Sequence, residues 1–222
     1  IRLGASSGEW KAMVADEAAR TTFAKNIKTV LEKNKLDGID LDFEWAENEK
    51  EYKDYSLAIL KMREVLGDKY LFSVSLHPVC YKISKEAIEA VDFISLQCYG
   101  PSPVRFPIEK YCSDIQMVLE YGIPKEKLVA GVPFYGVTKD NSKKTEAYFN
   151  FVQDGLITSP AQNEVVYQGD TYVFDGQDNI RIKTRYAKEQ KLKGMMSWDL
   201  ATDLPLSDSR SLLKTMTEEL RE

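Results

Sequence analysis

The stretch Leu36-Asp37-Gly38-Ile39-Asp40-Leu41-Asp42-Phe43-Glu44-Trp45 alternates apolar and acidic residues strictly from Ile39 to Glu44. In a β-strand, side chains two apart share a face, so Asp40, Asp42 and Glu44 point one way and Ile39, Leu41 and Phe43 the other. Alternation alone also describes an edge strand with its acids in water. The neighbouring segments argue for the opposite orientation. In Tyr70 to Leu76, Ser73 and Ser75 oppose Phe72, Val74 and Leu76; in Asp92 to Tyr99, Ser95, Gln97 and Tyr99 oppose Ile94, Leu96 and Cys98. If the apolar sets pack on helices, the polar sets line one interior, and three carboxylates meet where an unpaired charge is costly. One or two of them are then expected to hold protons. A polar interior at the carboxyl ends of parallel strands is where barrel active sites lie.

Outward from this stretch, short apolar runs alternate with segments of helical period, the pattern of a parallel sheet wrapped by helices. Ile1 to Ala5, Gly38 to Glu44, Tyr70 to Leu76, Asp92 to Tyr99, Leu128 to Pro133 and Gly194 to Asp199 read as strands. The first helix carries Phe23, Ile27, Val30 and Leu31 on one face, and the second carries Tyr52, Tyr55, Ile59, Met62 and Leu66 and ends at Gly67. Further helices are expected near Ser84 to Val91, Ile108 to Tyr121, Asn179 to Lys191 and Ser207 to Leu220. With no linker, composition shift or repeat, residues 1–222 read as a single domain. An eight-stranded α/β barrel takes about 250 residues, so the fold class is α/β of the (β/α)8 type, incomplete by about two strand-helix units. Val137 to Asp178, with Lys143, Lys144, Gly155, Pro160 and Gly169, is the least regular segment and is expected to form loops and short strands on the rim.

Of 222 residues 43% are hydrophobic, enough for a sizeable core. Thirty basic against 35 acidic residues leave a formal charge of −5 without a dense Lys/Arg block, which argues against nucleic acid or membrane surface as partners. No apolar run approaches the roughly 20 residues that span a bilayer. The first residues lack the basic start and apolar middle of a signal peptide, and export remains open if a leader has been removed. Cys80, Cys98 and Cys112 have no C-x-x-C spacing and only His77 to join them, which argues against zinc; they read as buried small hydrophobes.

Asp37-Gly-Ile-Asp40-Leu-Asp42-Phe-Glu44 resembles the D-G-x-D-x-D-x-E signature of the family 18 glycoside hydrolases, the chitinases. Other segments follow in the family's order. Leu3-Gly4-Ala5-Ser6-Ser7-Gly8 is similar to the end of the family's third strand without its paired glycines, and Gln97-Cys98-Tyr99 resembles the Met/Gln-x-Tyr motif of the sixth. Gly131-Val-Pro-Phe-Tyr-Gly136 resembles the G-x-P-F-Y-G of the seventh, and Gly194-Met-Met-Ser-Trp198-Asp199 the eighth. Two departures stand out. Gly100 replaces the acid or amide that usually follows the tyrosine, and the first strand here aligns with the third of the family. The chain therefore reads as a fragment of a longer protein whose missing N-terminal segment completes the barrel, the alternative being a shortened variant whose exposed edges a partner chain covers.

The resemblance implies hydrolysis of β-1,4 bonds between N-acetylglucosamine units, in chitin or its oligosaccharides, with no cofactor and no metal. It also implies a secreted or extracellular setting. The family's mechanism is retaining and substrate-assisted, with the sugar's acetamido oxygen as nucleophile. Catalytic roles then fall on Glu44 as general acid and base, on Asp42 and Asp40 as a proton-sharing pair, and on Tyr99, whose hydroxyl would hold the acetamido oxygen. Trp198, Gln97, Trp45 and Tyr135 become candidates for sugar contact. Asp37, of opposite parity, is expected to play a structural part such as capping, and His77 to sit on the rim. The roughly 60 residues from Phe134 to Lys193 leave little room for the insertion that deepens the cleft in some relatives, which implies a shallow groove and internal cutting. The alternatives are a chitin-binding lectin that has lost catalysis, or an endo-β-N-acetylglucosaminidase or peptidoglycan hydrolase using the same acids.

Overall fold

The computed structural model describes residues 1–5, 8–100, 106–140 and 144–221, so Ser6, Ser7 and Lys143 lie outside the described residues. In chain order the elements are β1 (Arg2–Ala5), α1 (Glu9–Ala15), α2 (Glu17–Asn34), β2 (Gly38–Phe43), α3 (Glu49–Leu66), β3 (Leu71–Leu76), α4 (Lys85–Ala90), β4 (Phe93–Leu96) and α5 (Ile108–Tyr121). They continue as β5 (Leu128–Pro133), β6 (Tyr135–Thr138), β7 (Thr145–Ala147), α6 (Tyr148–Gln153), β8 (Glu164–Tyr167), β9 (Asp170–Val173), α7 (Gln177–Glu189), β10 (Gly194–Trp198) and α8 (Leu212–Arg221). These elements group into two compact units, residues 1–96 with 118–128 and residues 97–117 with 129–222.

In the first unit, β1, β2, β3 and β4 run parallel in that order. The register sets Gly4 beside Asp42, Asp40 beside Ser73 and Ser75 beside Ser95. Ile39, Leu41 and Phe43 are buried on the helix side, where the Phe43 ring stacks on Trp10 of α1 at 5.2 Å and meets Tyr55 of α3 at 5.5 Å and Phe23 of α2 at 6.0 Å. Burying one such side chain contributes about 1.5–3 kcal/mol. That packing fixes the parity of the strand, because a slip of one residue would turn all three acids into the helices. Of the expected stripe of α3, Tyr55, Ile59, Met62 and Leu66 are buried and Tyr52 is half-buried, and Gly67 caps the helix at φ 63° by donating its N–H to the Arg63 carbonyl.

The helix before β2 differs from expectation. Asp16 divides it into α1 and α2 by taking the Ala19 N–H on its side chain at 2.7 Å. The buried face of α2 is Arg20, Ala24 and Leu31, while Val30 is exposed. A seven-residue helix carries too few turns for its Trp10 and Val14 pair to stand out as a stripe.

The second unit holds the parallel pair β5 and β10, with Gly131 beside Met196 and Pro133 beside Trp198. The segment expected to be loops and short strands does form short strands, and these pair into an antiparallel sheet of order β7-β6-β9-β8, with the unforeseen helix α6 packed on it. Its centre is Phe151, whose ring lies 5.5 Å from Phe174 and 5.6 Å from Tyr172. Gly136 is required by this packing, since a Cβ there would come within 2.8 Å of the Phe151 ring. The helix expected from Ser207 begins at Leu212, where Asp203 accepts the Leu212 and Leu213 N–H groups. Among the described residues no helix is long and apolar enough to cross a membrane.

Candidate active site

β2 brings Asp40 and Asp42 onto the face expected for them, opposite the helix-packed Phe43. The Asp40 carboxylate accepts the Ser73 hydroxyl at 2.6 Å and the Ser75 hydroxyl at 2.8 Å, both from β3. Burial pushes the Asp40 carboxyl above its ordinary value, against the two hydroxyl bonds and the Arg2 charge that pull it down. Asp42 is 1% exposed and is ion-paired with Arg2 of β1. Glu44 follows the last residue of β2 and extends the ladder, its N–H donating to the Ala5 carbonyl at 2.9 Å. Its side chain is half-buried, and its carboxylate takes no hydrogen bond or ion pair from the other described residues.

Trp45 comes next, joined to Glu44 by a cis peptide. Its indole Nε1 is buried and has no hydrogen-bond partner among the described residues, and its ring lies 5.2 Å from the His77 ring. His77 therefore differs from the expected rim residue: it is 3% exposed and sits where the chain leaves β3, bridged through its backbone to Cys80. Asp37 also differs. Its side chain is exposed and caps nothing among the described residues, and its carbonyl accepts the Leu71 N–H.

In the second unit, Gln97 follows the end of β4 and Tyr99 lies in the turn after it, not within a strand running to Tyr99. Both are buried. Tyr99 packs with Phe106 and Val137, meets the Tyr135 ring edge-on at 6.4 Å, and directs its hydroxyl to the Met196 sulfur at 4.0 Å. The sequence-derived candidates Tyr99 and Tyr135 are thus brought into one aromatic cluster. Trp198 ends β10 and is 38% exposed, with its carbonyl accepting the Phe134 N–H. Cys80, Cys98 and Cys112 are free thiols, the first two buried as expected and the third half-buried.

Arg2 is the residue near the acids that sequence reasoning missed. Its parity within Ile1 to Ala5 was legible, but its place beside Asp42 depends on the β1–β2 register, which the sequence does not state. His77 carried a signal, as the residue continuing the Ser73 and Ser75 face, although the proline after it read as a sign of the rim.

The chain resembles known proteins in sequence and in fold. It is 23% identical to "Probable chitinase 2" of Drosophila melanogaster, over 89% of this chain and 54% of that protein. The chain thus spans about half the length of that curated relative. A chitinase from Bacteroides thetaiotaomicron superposes with a TM-score of 0.86 at 22% identity, covering 99% of this chain and 75% of that one. A chitinase-like agglutinin from Robinia pseudoacacia superposes with a TM-score of 0.82 at 19% identity, covering 99% and 80%. The fold is accordingly of the α/β barrel type, incomplete over the residues given. The sequence pattern of "Glycosyl hydrolases family 18" matches residues 3–203, and the chain belongs to that family.

Proposed function

We propose that this chain is the catalytic part of a retaining, substrate-assisted chitinase that hydrolyses β-1,4 bonds between N-acetylglucosamine units, residues 1–222 serving as one partial catalytic domain. The observation that carries the reading is the carboxylate of Glu44, unengaged by the other described residues, immediately after a strand whose two preceding acids, Asp40 half-buried and Asp42 buried, are held by Ser73, Ser75 and Arg2. A group that must give up and regain a proton is useful only if no salt bridge claims it, whereas groups that orient substrate gain from being fixed.

In the proposed reaction Glu44 delivers its proton to the glycosidic oxygen as the bond to the anomeric carbon breaks. The acetamido carbonyl oxygen of the same sugar closes on that carbon, giving an oxazolinium ion. Water then adds to the anomeric carbon, losing its proton to Glu44, and the acetamido group reopens with net retention. Asp42 is assigned the acetamido N–H and the positive charge of the intermediate, with Asp40 behind it. Tyr99 is assigned the acetamido oxygen and Trp198 an apolar floor for the sugar, with Gln97, Trp45 and Tyr135 as further sugar contacts; these roles rest on the family motifs. A shallow groove with internal cutting, and action outside the cell, belong to the same proposal.

The test is hydrolysis of a chromogenic chito-oligosaccharide by the parent and by Glu44→Gln. The expected loss exceeds about 100-fold, the lower end of what a general acid contributes. A variant retaining more than that would remove Glu44 from the central role. The likeness to the Robinia agglutinin favours one second reading, a lectin. Tight binding of the oligosaccharide by the parent with no turnover would select it.

A further inference from the structure

We propose that Arg2 is a positioning residue for the acid cluster, its guanidinium holding the Asp42 carboxylate anionic and in one orientation before substrate arrives. The inference rests on β2 being the catalytic strand.

Three observations converge on it. Asp42 is 1% exposed, and its Oδ2 accepts from the Arg2 guanidinium, which reaches it from the neighbouring strand. A carboxylate so buried binds a proton unless an opposite charge stands beside it, and a guanidinium supplies a charge that it does not lose at any working pH. Second, the space for this contact is made by a glycine. Gly4 lies beside Asp42 in the β1–β2 register, and a Cβ built on Gly4 would stand 3.2 Å from a guanidinium nitrogen. A side chain there would require the guanidinium to shift by a few tenths of an ångström.

The third observation is the division of partners between the acids. Asp40 is held by two neutral hydroxyls and its carboxyl is pushed up by burial, whereas Asp42 has the cation. Among the described residues, two further titratable groups bear on this face. Glu44 follows on the same strand, and His77 follows Ser73 and Ser75 beyond β3. Among these, Arg2 is the side-chain cation in contact with an acid of β2. The proton of the Asp40 and Asp42 pair then resides on Asp40, instead of being shared, and Asp42 stands ready as the acceptor for an amide N–H.

The test reads Asp42 directly and needs no turnover, so it separates this inference from the proposed reaction. Side-chain carboxyl 13C shifts are followed against pH in the parent, Arg2→Met and Arg2→Lys, with Asp42→Asn assigning the resonance. The Asp42 midpoint is expected to rise by about one pH unit or more in Arg2→Met, the size of effect a neighbouring arginine exerts on an aspartate. Arg2→Lys should return most of that difference. An Asp42 midpoint that is the same in parent and Arg2→Met would overturn the proposal, whatever the activity of either. If Arg2→Met does not fold, Arg2→Gln provides the same comparison, because it removes the charge and keeps a polar side chain at the same place in β1. An unmoved midpoint in that variant counts equally against the idea.

Discussion

Ser75 donates its hydroxyl to the Asp40 Oδ1 at 2.8 Å across the parallel β2–β3 pair, so the acid strand is tied to its neighbour through side chains as well as through the ladder. This bond favours the charged form of a carboxyl that burial pushes towards the neutral one. Ser75→Ala should therefore raise the Asp40 pKa further above its model-peptide value of 3.8. The sign for stability follows from the raised folded value. The folded state binds the Asp40 proton more tightly than the unfolded chain, so the favourable contribution is complete below the unfolded value and is lost as pH rises through the folded one. The cost of Ser75→Ala should accordingly grow with pH across that window, reaching about 1.5–3 kcal/mol once Asp40 is ionised, as for a hydrogen bond to a charge. Urea unfolding of parent and variant at several pH values measures it. A difference that is the same at every pH would show that the hydroxyl does not bear on the charge.

Gly38, the glycine of the acid signature, has a steric explanation. A Cβ built there would lie 2.1 Å from the Leu71 carbonyl oxygen, its direct partner in the β2–β3 register. The obstacle is backbone, which cannot swing aside as a side-chain tip would. Gly38→Ala should destabilise by about 1–3 kcal/mol, the usual range for overpacking, and towards its upper end. It should also lower activity, because relief of the clash requires β2 to move and Asp40, Asp42 and Glu44 ride on it. An unchanged urea midpoint would refute the steric account.

The orientation of the acids was legible because period two is a local property, and Phe43 had a hydrophobic helix face on which to bury. What the sequence hid was pairing between segments far apart. The polar alternation of Ser95 continues through Gln97 and Tyr99, yet β4 stops at Leu96, since periodicity cannot tell a strand from a turn of the same polarity. The β8–β9 hairpin was missed for a different reason. Its two-residue turn is Gln168-Gly169, both at positive φ, and glutamine is a weak signal where asparagine or aspartate usually marks such turns. The ion pair of Arg2 with Asp42 combines both difficulties, a register not written locally and a cation that reads as surface until its neighbour is known.

Lys183 and Asp175 form a pair inside the second unit that no motif announced. They are 1% and 0% exposed at the side chain, with Nζ 2.5 Å from Oδ2, and the ammonium lies 5.5 Å from the centre of the Tyr111 ring and 6.0 Å from that of Phe106. Asn179 gives Asp175 a further hydrogen bond at 3.1 Å. Burial pushes the Asp175 carboxyl up, and Lys183 is what pulls it back down. Lys183→Met removes the cation and leaves the carboxylate in an apolar site, at a cost of about 3–5 kcal/mol. Asp175 must then bind its proton more tightly still. By the same linkage the loss is greatest at neutral pH, where the lone carboxylate is charged, and shrinks as the medium is acidified and it becomes neutral. Lys183→Met combined with Asp175→Leu should recover most of the stability, because two apolar groups of similar volume leave nothing unpaired. Urea denaturation of the three proteins at neutral and acidic pH decides the matter. A single variant as stable as the parent, or a double variant no better than the single, would mean that the pair is not the electrostatic unit its geometry describes.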